Sequence, residues 1–470
     1  MWFKIILNIK IIKMQKQISF LLMLFFCSYI SFSQDTLKEI KVQNSSKSLQ
    51  KSLKLTANTT LLSSKELLKA ACCNLAESFE TNPSIDVNFS DALTGTKQIK
   101  MLGLTSPYLM ITEENIPSVQ GASQAYGLSF TPGTWVESIQ ITKGAGSVVN
   151  GYESVSGQIN TELIKPNKDI PFFVNAYGSS DSRFELNTHF NKKISDKWNT
   201  NLAFHYTKGK GYYENYLEDA TFADYGLLPF GTEVSTDLIR QKWLDNDFYG
   251  TTFSFNYKSE KLNLIIGGAG NKYEGAHFGK VIWARFASQS ELGDRYYDDF
   301  ATKTDANLFA KANFQLSKKI SFYGDLQIRN VHYKANSLET GLVNDNFSFF
   351  NPKAGFNYDL NSKNAIYFSF ARANREPNRD DYSSGTPNPE QLNDFELGWR
   401  SIFEKSKFNV TAYYMKYKNQ LVLTGGLNDV GSPLRENVGD SYRLGLEIDA
   451  TLYLSEKWLL RPNIACSKNK

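Results

Sequence analysis

Cysteine is almost absent. The four in 470 residues are Cys27, Cys72, Cys73 and Cys466; once Cys27 leaves with the leader described below, an odd number with two adjacent members makes no disulfide framework. Histidine is equally rare, at His189, His205, His277 and His332, too scattered for a paired metal site on one helix. No serine–histidine–aspartate spacing or carboxylate pair stands out, so the chain is not expected to be an enzyme, and no cofactor is implied. Positive charge exceeds negative by only 4 and is spread without a basic block, which argues against a nucleic-acid partner. Beyond the N-terminus no apolar run approaches the roughly 20 residues of a membrane helix. If this chain crosses a membrane, it does so with strands.

What the chain has in abundance is aromatic. Twenty-five Tyr and 33 Phe make up most of a 14% aromatic fraction, beside only 13 Pro. That composition predicts a strand-rich fold. Lys13 and Lys16 precede the apolar run Ile18–Ile30, followed by SFSQ. This is the pattern of a secretory signal over residues 1–33, cut before Gln34, with Met14 the expected start. The run is shorter than a membrane span, so the mature chain is expected to be exported.

Residues 34–60 are polar and Lys-rich and read as a tail, within which DTLKEIKV (35–42) can extend. Ser63-x-x-Glu66 is a capping-box signature. Leu67, Leu68, Ala71, Cys72, Leu75 and Phe79 then share one helical face, and Asn82-Pro83 ends the helix. From 85 to 163 come short strands, SIDVNF, KQIKMLGL, YLMIT, VESIQIT and GQINTEL, in a unit expected over 61–165.

After Lys165 one pattern repeats: strand, tight Lys/Ser/Asn turn, strand, long polar loop. The turns fall at 191–198, 257–262, 315–320, 359–364, 403–408 and 454–458; the loops are expected around 208–245, 271–302, 332–351, 373–391 and 418–440. In ISFYGDLQI, Ile320, Phe322, Leu326 and Ile328 oppose Ser321, Tyr323, Asp325 and Gln327. In YRLGLEIDATLYL, Leu444, Leu446, Ile448 and Ala450 oppose Arg443, Glu447, Asp449 and Thr451. Alternating runs of roughly 9–13 residues, long enough for a tilted spanning strand of about 9–11, with short turns at one end and long loops at the other, predict an outer-membrane barrel over 166–470. A soluble sandwich would have more even loops.

The stretch KGAGSVVNGYESVSGQIN (143–160) could be a phosphate cradle, but Val149 stands where G-x-G-x-x-G needs its third glycine, and no helical period follows. With VESIQIT before it and TEL after it, the stretch resembles the plug signature of the TonB-dependent receptors of the Gram-negative outer membrane. NLAESFETNPSIDVNF (74–89) is similar to the opening of their plug, and KQIKMLGL to its I-x-I-R-G strand. RANREPNRDDY (372–382), NPEQLNDFELGWR (388–400) and NVGDSYRLGLEID (437–449) resemble barrel motifs of the same family, in order, across the mature chain.

The resemblance implies an all-β transmembrane barrel with an N-terminal α+β plug inside it; about 13 strands are read here against a family total near 22, so the barrel is expected to be incomplete at its C-terminus, and a truncated, transport-inactive fragment is one alternative. It implies a monomer in outer-membrane lipid that takes up a small metal complex, a siderophore or a copper or heavy-metal species, with TonB as partner; a passive surface-binding barrel is the alternative. DTLKEIKV stands where the TonB box belongs, with Leu37, Glu39, Ile40 and Val42 carrying it. Glu137, Lys143, Gly144, Gly146, Gly151 and Gly157 form the plug motif, the glycines for close packing. The usual plug arginines are replaced by Leu102 and Ser138, so the barrel glutamates Glu396 and Glu447 must find other partners, with Arg400, Arg443 and Lys143 the candidates. Ligand contacts are expected from loop residues Tyr212, Tyr213, Tyr216, Tyr296, Tyr297, Arg375, Arg379 and Tyr382. Cys72 and Cys73, with Met101 and Met110, could hold a thiophilic ion or simply pack as small buried residues.

Overall fold

A computed structural model describes residues 49–50, 59–63, 79, 85–89, 97–101, 109–113, 116–117, 136–143, 157–163 and 171–470, apart from 179, 181, 229–230, 288, 338–339, 428–432 and 456–457. The first part is a small mixed sheet built from β1 (Leu49–Gln50), β2 (Thr59–Ser63), β5 (Leu109–Glu113), β6 (Ile116–Pro117), β7 (Val136–Lys143) and β8 (Gly157–Leu163), in the order β1-β2-β7-β8-β5-β6. β5 and β8 run parallel, the other pairs antiparallel. β3 (Ile85–Phe89) and β4 (Lys97–Met101) make a separate hairpin.

Period-two alternation sorts this sheet. Leu109, Ile111, Ile139, Ile141 and Ile159 point to one side and close a core with Phe79, Ile85, Ile99 and Met101. A register shift between Val136 and Ser138 lets Val136 join the same core. Thr112, Thr142, Gln158 and Asn160 point the other way, yet are also buried. The five expected strands all form. Ser63 closes β2, and the helix expected to begin there lies outside the described residues except for the buried Phe79.

The second part is an antiparallel meander in which each strand pairs with the next: β9 (Phe172–Gly178), β10 (Arg183–Lys193), β11 (Trp198–Thr221), β12 (Ser235–Lys258), β13 (Leu262–Ala284), β14 (Arg295–Gln315), β15 (Ile320–Ser337), β16 (Gly341–Asn361), β17 (Asn364–Arg375), β18 (Glu390–Ile402), β19 (Ser406–Lys418) and β22 (Ser441–Tyr453). β23 (Leu459–Leu460) and β24 (Asn463–Asn469) both pair with β22 as one interrupted ribbon. A side hairpin, β20 (Leu421–Leu427) with β21 (Pro433–Asn437), and a one-turn helix, α1 (Arg379–Ser383), occupy two connections.

Burial is inverted relative to a water-soluble sheet. Leu308, Leu326, Ile328, Phe350, Leu397 and Leu444 are exposed, whereas Asn307, Asp325, Gln327, Asn351, Lys353, Glu396, Arg400 and Glu447 are buried. Alternation puts the first set on one face and the second on the other. An apolar outside and a polar inside is the arrangement of a barrel in lipid. No described helix is long and apolar enough to cross a membrane.

The tight turns fall where Ser, Lys and Asn place them, but the expected long loops are mostly strand. β11 and β12 have 24 residues each and β13 has 23. At ~3.3 Å per residue and ~45° tilt, the roughly 25 Å apolar band takes only about 11 residues. The strands therefore stand well clear of the bilayer. There both faces meet water, the apolar alternation ends, and a polar ladder reads like a loop. Among the described residues, two long connections remain: 222–234 between β11 and β12, and 376–389 after β17.

Candidate functional site

Leu37, Glu39, Ile40, Val42, Cys72, Cys73, Gly144, Gly146 and Gly151 lie outside the described residues. Glu137 lies in β7. Gly157 begins β8 where a side chain has no room: an added Cβ would collide with Met101 Sδ and sit 2.9 Å from the carbonyl oxygen of Thr142. Met101 itself is part of the hydrophobic core.

Lys143, at the end of β7, reaches across to the barrel. Its Nζ donates to Glu447 Oε2 on β22 at 2.8 Å, both side chains 9% exposed. Lys143, one of the three cations considered for the barrel glutamates, thus bonds one of them. Glu396, inward on β18, accepts from Tyr367 Oη at 3.2 Å, and the Arg400 guanidinium lies 4.2 Å from the centre of the Tyr367 ring.

At the opposite end from the tight turns, the segment 376–389 folds back along the inner wall. Glu376 receives Arg329 of β15 at 2.7 and 2.8 Å and pairs with Lys303 of β14. Arg329, with no exposed side-chain surface, is also bound to Asp305 at 2.9 Å through Nε. Arg375 donates to Glu390 at 2.6 Å and lies 3.4 Å from Asp381; Asp381 also accepts from Arg435 of β21 at 3.0 Å. Asn378 caps α1 reciprocally with Asp381. Tyr382 donates to Asp345 of β16 at 2.6 Å and stacks on Tyr333 with centroids 5.5 Å apart. Arg379 donates to Asp299 at 3.0 Å and to His277 Nδ1.

Electrostatics follow from this packing. Burial pushes the Glu376 carboxyl up, but Arg329 and Lys303 outweigh it and hold it well below the ordinary carboxylate range. Burial, reinforced by the hydrogen bond to Asp345, pushes the Tyr382 phenol far above its usual value.

The expected ligand residues thus separate. Arg375 and Tyr382 are buried and engaged in internal bonds, while the Arg379 side chain keeps 22% of its surface. Tyr212 points outward against Trp243, centroids 4.4 Å apart, whereas its neighbour Tyr213 turns inward. Tyr296 packs between Tyr225 and Tyr297 at 4.8 and 5.0 Å. Arg329, Glu376, Asp381, Glu390, Arg435 and His277 were not singled out from sequence. The available signal was charge on the inward parity of an alternating strand, as at Lys303, Asp305 and Arg329. Among the described residues, no group of three His, Cys, Asp or Glu side chains is placed to hold a metal.

Comparison with known proteins accounts for both parts. The family model for the TonB dependent receptor-like β-barrel matches residues 127–466, and that for the TonB-dependent receptor plug domain matches residues 32–158. The chain is 19% identical over 450 residues to the vitamin B12 transporter BtuB of Vibrio vulnificus, covering 84% of this chain and 72% of that one. Among solved structures it superimposes on the copper transporter OprC with TM-score 0.70 and 13% identity, covering 89% of this chain and 80% of that one. It also superimposes on BauA, the ferric preacinetobactin receptor of Acinetobacter baumannii, with TM-score 0.61 and 12% identity, covering 89% and 79%. With a plug sheet joined to an inward barrel glutamate and both family models matched, the chain belongs to the TonB-dependent receptors, outer-membrane transporters of small molecules that draw energy through TonB and perform no catalysis.

Proposed function

We propose that this receptor takes up a metal carried as an organic chelate of the siderophore type, binding it at the mouth of the barrel and admitting it when TonB acts on the tail at Leu37–Val42. The observation that carries the reading is Arg379. It is the most exposed of the arginines that tie down segment 376–389, and it bonds Asp299 of β14 at 3.0 Å, two residues along the same face from Tyr297, which packs on Tyr296 at 5.0 Å. A guanidinium among phenols suits an anionic chelate with planar groups. The cargoes named for similar proteins, copper, ferric preacinetobactin and vitamin B12, leave a bare ion as the competing choice. Met101 does not add to that choice, since it packs in the plug core.

The test is titration of the purified full chain with ferric chelates and, separately, with Cu²⁺, followed by tryptophan fluorescence, and uptake of the labelled chelate by cells with and without a protonophore. Chelate binding weakened at least tenfold by Arg379→Ala, with protonophore-sensitive uptake, supports the proposal. Binding of Cu²⁺ alone, lost in Cys72→Ser and Cys73→Ser, replaces the cargo. Passage indifferent to the protonophore makes the protein a passive surface-binding barrel.

A further inference from the structure

Segment 376–389 leaves the sheet after β17, yet its bonds go back to β13, β14, β15 and β16: Arg379 to His277 and Asp299, Glu376 to Lys303 and Arg329, Tyr382 to Asp345. With ~4.8 Å between neighbouring strands, a reach over four of them is about 19 Å along the wall. All these partners lie on the inward parity of their strands, so the segment lies against the inside of the barrel. On its other flank Asp381 is held by Arg375 and by Arg435 of the β20–β21 hairpin.

We propose that residues 376–389 form a fixed ledge inside the mouth, a permanent wall of the ligand's approach that stays docked while the plug rearranges beneath it. The alternative is a lid that lifts to admit ligand. Lifting would strand Arg329 beside Asp305 without Glu376, and would leave both Arg375 and Arg435 without Asp381, in a site where these side chains have 7% exposure or less. Buried charges deprived of their partners are strongly disfavoured, and here several would be exposed in one step. Among the described residues, the plug meets the wall through Lys143 on Glu447. The ledge, by contrast, is tied to four strands and a hairpin, and constancy is assigned to it. The inference does not depend on which cargo is carried.

Hydrogen–deuterium exchange of the full chain in outer-membrane vesicles tests it. Amides of 379–385 are expected to exchange about a hundredfold or more slowly than unstructured chain, and to keep that rate when ferric citrate and a soluble TonB domain are added. Asp381→Asn should speed their exchange about tenfold, while β14 and β15 are unchanged. Exchange of the wild-type ledge near the unstructured rate, acceleration on adding ferric citrate with TonB, or no response to Asp381→Asn would each overturn the ledge. The ligand-free rate and the Asp381→Asn result stand whether or not ferric citrate binds, so a wrong cargo does not masquerade as a wrong ledge.

Discussion

Lys143 on the plug and Glu447 on the barrel wall, 304 residues apart in sequence, meet in a buried ion pair of 2.8 Å. A lysine is a compact point charge on a flexible stem, without the two-pronged fit of an arginine. It can satisfy a carboxylate yet let go without a second bond to break. That suits a contact that must hold a plug at rest and release it under force.

Removing one partner should be worse than removing both. Lys143→Met leaves Glu447 buried without a cation and should weaken plug docking by about 3–5 kcal/mol, whereas Lys143→Met with Glu447→Met should recover most of that loss. The urea concentration at which the plug becomes protease-sensitive measures each variant. Equal losses in the single and double variants would mean that the pair is not coupled.

Gly157→Ala should destabilise the plug by about 1–3 kcal/mol, because the new methyl group meets both a side chain and a backbone oxygen. Met101→Ala in the same chain should relieve the clash with sulfur and leave the one with the Thr142 carbonyl. Partial rescue is therefore expected in the same protease assay.

The plug strands, the tight turns and the lipid-facing parity were legible in the sequence because each is fixed by neighbours in the chain. Ile139 and Ile141 declare a core face by their spacing alone, and Lys318-Lys319 mark a hairpin without reference to anything distant. The ledge was not legible. Arg329 and Glu376 are 47 residues apart, Arg379 and His277 are 102 apart, and no local motif links them. The extended upper strands were misread as loops for a physical reason: above the bilayer Tyr212 and Lys210 face water, and the outward face no longer needs to be apolar.

That boundary can be located by substitution. Leu326 is six residues from the start of β15 and faces outward, 52% exposed; at ~2.3 Å of height per residue it lies near mid-membrane. Leu326→Arg should cost about 2–4 kcal/mol, while Tyr212→Arg, beyond the band, should cost less than about 1 kcal/mol. Folding yields into lipid vesicles against urea should separate the two. Similar penalties would place the upper half of β11 in lipid.

Acid should act on the ledge through Glu376. Its folded pKa is depressed by Arg329 and Lys303, so its stabilising contribution is complete above the unfolded value, about 4.3, and is lost as pH falls below it. The difference in thermal midpoint between wild type and Glu376→Gln should stay constant from pH 8 to pH 6 and shrink below about pH 4. A difference that instead changes between pH 6 and 8 would mean that a group other than Glu376 titrates there.

The tail offers the sharpest functional separation. Strand addition works through main-chain hydrogen bonds, and a proline removes one N–H while fixing φ. If TonB captures residues 37–42 in this way, Ile40→Pro should reduce energised uptake at least tenfold and leave surface binding of the same chelate unchanged. Ile40→Ala, which keeps the N–H, should retain most of the uptake. Loss of binding in Ile40→Pro would mean that the tail supports the fold; equal uptake in both variants would mean that TonB engages another segment.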